Sequence, residues 1–209
     1  MHFSVWLTFF AASWAISISP GAGAVAAMSA GLSHGFQRGY FMTIGLILGI
    51  LTQILVVSLG LGALIAASAL AFSAVKWAGV AYLAWLGLQQ WRSPGKPLAA
   101  STDDGLATRR ALVLRGWGIN AVNPKGTVFL LAVVPQFLDL HAPLAPQYGT
   151  IACTLAFTDA VVMAGYTLLA SKLLAALRSE HHLKVMNRVF GSLFMGAAAL
   201  LASFKSASQ

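Results

Sequence analysis

The chain has 209 residues, 58% of them apolar and only 9% charged, against roughly 25% charged in an ordinary soluble domain. Thirteen Lys or Arg and five Asp or Glu cannot clothe a globule of this size in water, which excludes a soluble enzyme. Disorder and nucleic-acid binding both need charge density and are excluded too, although the isoelectric point is near 10.2.

The charges punctuate the chain, because a spanning helix of about 20 residues does not easily hold one at mid-depth. Six helices are predicted, at 3–30, 40–65, 73–91, 116–137, 147–170 and 188–204. The first contains Ser19-Pro20-Gly21-Ala22-Gly23, a run expected to break or kink it. No Lys or Arg stands before the opening apolar run, which argues against a cleaved signal peptide ending near Ala24. The Lys/Arg bias sets orientation. Arg38, the segment Arg92 to Arg115 and the segment Lys172 to Arg188 carry ten of the thirteen basic residues and are read as cytoplasmic. Lys76 and Lys205 fall on the opposite side, so both termini are expected outside. Trp6, Trp77, Trp91 and Trp117 fall near proposed span ends, at headgroup level.

Spans one to three and four to six read as two copies of one unit, with residues 92–115 as a cytoplasmic linker between halves 1–91 and 116–209. Each half has a Pro in its first helix, in Ser19-Pro20-Gly21 and in Asn123-Pro124-Lys125. Gly79-Val80-Ala81-Tyr82-Leu83 can be laid over Gly191-Ser192-Leu193-Phe194-Met195. Three helices per unit is an odd number, so the second copy enters the membrane from the other side. The expected architecture is all-α and integral to the membrane, two inverted three-helix repeats with the first helix of each broken at Pro.

In hydrocarbon, a carbonyl freed by Pro must find a partner in protein or in a water-filled cavity. Two breaks at corresponding places therefore point to a site at the repeat interface, where half-helix N-termini suit an anionic group such as a carboxylate. The expected substrate-binding residues are Ser17, Ser19, Pro20, Gly21 and Gly23 from the first break, and Asn120, Asn123, Pro124 and Lys125 from the second. Gly21 and Gly23 leave the backbone bare to a ligand. The plainer alternative is a Pro kink with small residues for close packing. Asn123 has a second reading, as the cap of the broken helix.

Asp159 lies near the middle of span five, where a carboxylate costs about 2.5–3.5 kcal/mol on insertion scales. It either pairs with Lys125, binds a substrate ammonium, carries the ion that drives transport, or is a buried structural acid. Lys125 either meets a substrate carboxylate or Asp159, or snorkels to the headgroups. Gln53, at an offset from Pro20 close to that of Asp159 from Pro124, is read as the other half's counterpart of the acid or as a polar contact between helices. Tyr82 and Tyr166 either line the pathway or pack. Gly45 and Gly49 form a small-xxx-small pair, a packing stripe compatible with a homodimer interface. His181-His182 in a basic loop is a poor metal site, and the single Cys153 excludes a disulfide framework and a thiolate cluster.

On Ser19-Pro20-Gly21, Asn123-Pro124-Lys125 and Gly79-x-x-Tyr82-Leu83-x-x-Leu86-Gly87, the chain resembles the LysE/RhtB family of bacterial amino-acid exporters over nearly its whole length. Family members usually carry a second Pro where this chain has Ala22. The resemblance implies a multi-pass transporter of the bacterial inner membrane, not an enzyme, that expels amino acids or close derivatives under a proton or cation gradient. Its implied partners are substrate, lipid and coupling ion, with no cofactor, metal or nucleic acid. Export of another small solute or a metal ion on a related fold is the alternative reading. A membrane-embedded enzyme would need nucleophile and base side chains that the spans lack.

Overall fold

A computed structural model describes residues 1–19, 21–67, 69–92, 107–172 and eleven scattered positions between 184 and 202. Pro20, most of the linker with Ser93-Pro94-Gly95 and Asp103-Asp104, and His181-His182 lie outside the described residues. Among the described residues every regular element is helical: α1 (Phe3–Ile18), α2 (Ala22–Ala67), α3 (Ala69–Arg92), α4 (Arg109–Ala121), α5 (Pro124–Ala132) and α6 (Leu144–Lys172), with a 3-10 turn at Val134–Phe137.

In α1 the buried positions are Phe9, Ser13 and Ser17, one residue every four and hence one face of the helix. That stripe faces inward, while Phe3 and Leu7 point outward. α2 is two helices that meet at Gly35, whose φ of 70° and ψ of 174° no helix contains. Gly35 is the one positive-φ residue among those described, and only glycine takes that φ without a Cβ penalty. Beyond it the chain doubles back so closely that a methyl group on Gly39 would stand 2.8 Å from the Ala30 carbonyl. The turn falls inside the basic loop expected around Arg38, and Arg38 Nη2 donates to Ala107 O at 2.7 Å. That contact brings the Gly35 turn and the start of α4 to the same end of the molecule.

The second limb of α2 packs against α4, and α1 with the first limb packs against α6. In both pairs the matching residues rise in number together. Gly45 meets Val113 and Trp117, and Gly49 meets Trp117 and Asn120. Ser17 meets Thr158, and Gly31 meets Thr167. The paired helices therefore run parallel. Gly45, Gly49 and Gly116 let backbone touch backbone, since a methyl on Gly49 would lie 2.7 Å from Asn120 Cβ and 2.8 Å from Ala121 N. The small-residue stripe is thus filled by α4 of the same chain, and a homodimer interface gains no support from it.

Two apolar clusters flank the centre. One gathers Phe9, Ile54, Phe129, Phe137 and Ile151, the other Met28, Met42, Leu46, Leu112 and Met163. Many large apolar side chains face outward, including Leu59, Leu55 and Val56 on α2 and Phe157 on α6, as expected where lipid replaces water. The segments Ala22–Gly60 and Leu144–Lys172 are long and apolar enough to cross a membrane.

The start of α4 differs from the sequence expectation. α4 starts at Arg109, seven residues before the span proposed from 116, because Thr108 caps it by accepting from Ala111 N at 3.2 Å. Charges mark where the apolar stretch ends, but a capped helix can carry Arg109, Arg110 and Arg115 outward on its exposed face. In consequence Trp117 sits two turns inside α4 rather than at its end, and donates to Thr52 Oγ1 at 3.1 Å.

Candidate functional site

α1 stops at Ile18 and α2 starts at Ala22, and on the other side of the centre α4 stops at Ala121 and α5 starts at Pro124. Proline fits the first helical position, where its missing N–H has no intrahelical role. Asn123 caps α5, its Oδ1 accepting from Lys125 N at 3.1 Å. Asn123 Nδ2 donates to Asn120 Oδ1 at 3.0 Å, and Asn120 Nδ2 donates to Leu46 O at 2.7 Å. This chain of amides fastens the α4–α5 interruption to α2.

The end of α1 leaves carbonyls with no intrahelical partner, and side chains from α5 and α6 take them up. Lys125 Nζ donates to Ser19 O at 2.6 Å and to Ile16 O at 3.2 Å. Tyr166 OH donates to Ile18 O. A methyl on Gly21 would stand 3.3 Å from Lys125 Cδ, so the bare glycine backbone makes room for the lysine stem. The two interruptions face each other directly.

Between them lies a cavity of about 50 Å³. Ser17, Ser19, Gly21, Gly23, Asn120, Asn123, Lys125 and Asp159 all line it, so eight residues expected at the site from sequence meet at one place. Ser17 Oγ donates to Asp159 Oδ1 at 2.6 Å and lies 3.1 Å from Thr158 Oγ1. Asp159 and Lys125 are close enough to feel one another's charge. Ser19 Oγ is buried with no hydrogen-bond partner among the described residues. At about 10–15 Å³ per water on this measure, the cavity holds a few waters and no amino acid.

The remaining expected residues stand elsewhere. Pro124 is exposed at the start of α5, and Pro20 lies outside the described residues. Gln53 sits behind the α4–α5 interruption, where Nε2 donates to Asn123 O at 2.8 Å and to Thr127 Oγ1 at 2.9 Å. Tyr82 is half-buried on α3, its ring 5.5 Å from that of Trp85. Tyr166 fastens the end of α1 rather than lining the cavity. The apolar wall is new: Leu46 and Ile50 from α2, Phe129 from α5, Leu155 and Met163 from α6. A signal for part of it existed, because Leu155 and Met163 lie one turn either side of Asp159, and Leu46 and Ile50 share a helix face with Gln53. Among the described residues, no three metal-ligating side chains gather.

Comparison with known proteins identifies the family. A family model described as LysE type translocator matches residues 14–204. An uncharacterised membrane protein of Vibrio cholerae is 43% identical, over 99% of this chain and all of its own length. A homoserine/homoserine lactone efflux protein of Salmonella typhimurium is 40% identical over the same shares of the two chains. A leucine efflux protein of Klebsiella pneumoniae is 25% identical over 96% of each. No solved structure matches the chain. With a family match across nine-tenths of its length and full-length relatives at about 40% identity, the chain belongs to the LysE type translocators, a family of membrane transport proteins.

Proposed function

We propose that this protein exports an amino acid or close derivative across the bacterial inner membrane, with homoserine, its lactone and leucine as first candidates. The observation that carries the reading is the cavity between two helix interruptions, which brings a lysine, a carboxyl group, serine hydroxyls and bare glycine backbone to one point. A zwitterion needs an anion partner and a cation partner, and both are there. The full-length likeness to efflux proteins named for homoserine and leucine supports the substrate class.

The mechanism is alternating access in two inverted halves, 1–91 and 116–209, joined by the linker 92–115. Exchanging the halves turns the pair of α1 and α6 into the pair of α4 and the second limb of α2. Both pairs run parallel, as an inverted repeat requires. Asp159 reaches Ser17 just before the first interruption, and Gln53 reaches Asn123 and Thr127 around the second, so the two polar side chains hold corresponding places. Pro20 and Pro124 are the breaks, and Asp159 carries the coupling proton or cation.

In inside-out vesicles carrying the protein, an imposed proton or sodium gradient drives uptake of at least one labelled amino acid from a broad panel. No uptake above vesicles lacking the protein, for any member, would sink the export reading. The charge bias supports both termini outside. Tags at either end are then expected to react with an impermeant reagent in intact spheroplasts, and protection of both tags would reverse the topology.

A further inference from the structure

Among the described residues, the Lys125 ammonium donates to backbone carbonyls. Ser19 O and Ile16 O receive its protons at 2.6 and 3.2 Å, and the Asp159 carboxylate, held by Ser17, lies on the same cavity wall. Ser19 Oγ, buried and without a partner among the described residues, adds a further lone-pair donor at the same wall. An ammonium offers three donors and no acceptor, so this half of the cavity is complementary to a primary ammonium. The lysine reaches it from a different helix, along the bare backbone at Gly21. With the stem there, about 50 Å³ remains, room for a few waters but not for an amino acid beside the lysine.

We propose that these acceptors, Ile16 O, Ser19 O, Ser19 Oγ and Asp159, form the subsite for the substrate's α-ammonium group, and that Lys125 fills it as a tethered stand-in until substrate displaces it. The inference rests on the export reading and deepens it. On displacement the lysine swings off the end of α1 and turns its charge to the oxygen at the other end of the substrate. Either a carboxylate or the carbonyl of an ester or lactone serves as that oxygen, whereas the ammonium has no substitute. The exported class is therefore primary α-ammonium compounds, with or without a free carboxylate.

The test uses counterflow into proteoliposomes containing the full chain, with labelled homoserine or leucine, whichever is exported faster. Its competitors are the lactone or methyl ester of the same amino acid and its N-acetyl derivative. The lactone or ester is expected to compete within about tenfold of the parent, and the N-acetyl compound about 100-fold more weakly, as for loss of a buried charged hydrogen-bonding group. Lys125→Met vacates the subsite, so the lactone or ester should bind about tenfold more tightly once the self-occupied state is gone. The free amino acid should lose its advantage over the ester in the same variant. Competition by the N-acetyl compound equal to that of the parent overturns the subsite, as does a Lys125→Met protein that weakens ester and free acid alike. If that variant does not insert, the competition series on the unaltered protein decides alone. Absence of any exchange of either labelled amino acid overturns the export reading for these candidates, and the subsite with it. Exchange without discrimination by N-acetylation overturns the subsite only.

Discussion

Asp159→Asn is expected to lower the rate of export about 100-fold or more while leaving the protein inserted and monodisperse. The expectation follows from what the substitution keeps and removes. Asn retains the size of the side chain and an oxygen that accepts from Ser17 Oγ, a bond of 2.6 Å in the native protein. It loses the charge that shares the cavity with Lys125 and the capacity to take up and release a proton. A carboxylate at mid-depth is costly, and a purely structural role would make its neutral isostere harmless or even stabilising. The measurement is initial uptake into inside-out vesicles, beside size-exclusion chromatography of the purified variant. Wild-type rates in the Asn variant would remove the acid from the mechanism and leave it as a packing element. Ser17→Ala gives a milder companion, because it removes only the donor that orients the carboxylate.

Gly116→Val is expected to abolish accumulation of folded protein, and this is the largest structural effect of any single change considered. Gly116 lies against the Met42 carbonyl, and a methyl there would also stand 3.0 Å from Leu46 N. The atoms it would strike are backbone, which cannot rotate away, so α4 and α2 must separate. Overpacking of side chains alone costs about 1–3 kcal/mol; displacing two helices at their closest crossing exceeds that. The displacement also breaks the Asn120 Nδ2 to Leu46 O bond of 2.7 Å, which fastens the α4–α5 interruption. Gly118→Val is the control, since nothing lies within 4 Å of a Cβ at that position. Fluorescence-detected chromatography of both variants decides the matter. Equal, monodisperse peaks for the two proteins would show that the crossing tolerates a branched side chain.

Several features of the fold were legible because they depend on local chemistry. Gly35 turns the chain inside the basic loop expected there, since a loop in a membrane protein is where charge and an unusual φ are both tolerated. The helix end at Arg92 came within one residue of the span end set at 91. Asn123 and Pro124 carry a helix start in their own side chains, as cap and first residue. The start of α4 was misplaced because the absence of charge marks lipid, whereas Thr108 marks the helix. The apolar wall of Leu46, Ile50 and Phe129 could not be picked out of a chain that is apolar almost throughout, because composition there carries no contrast.

By itself the sequence determined the solvent, the helical class and the short list of polar residues that a membrane would not tolerate without a use. Those are consequences of transfer energies and backbone hydrogen bonding, which act residue by residue. Only the tertiary structure decided the partners. It laid Lys125 over the open end of α1, set Asp159 against Ser17, placed Gln53 behind the second interruption instead of in the cavity, and covered the Gly45–Gly49 stripe with α4. These depend on which helices lie side by side and how closely. That is fixed by small residues at a few crossings, whose effect is felt between helices far apart in the chain.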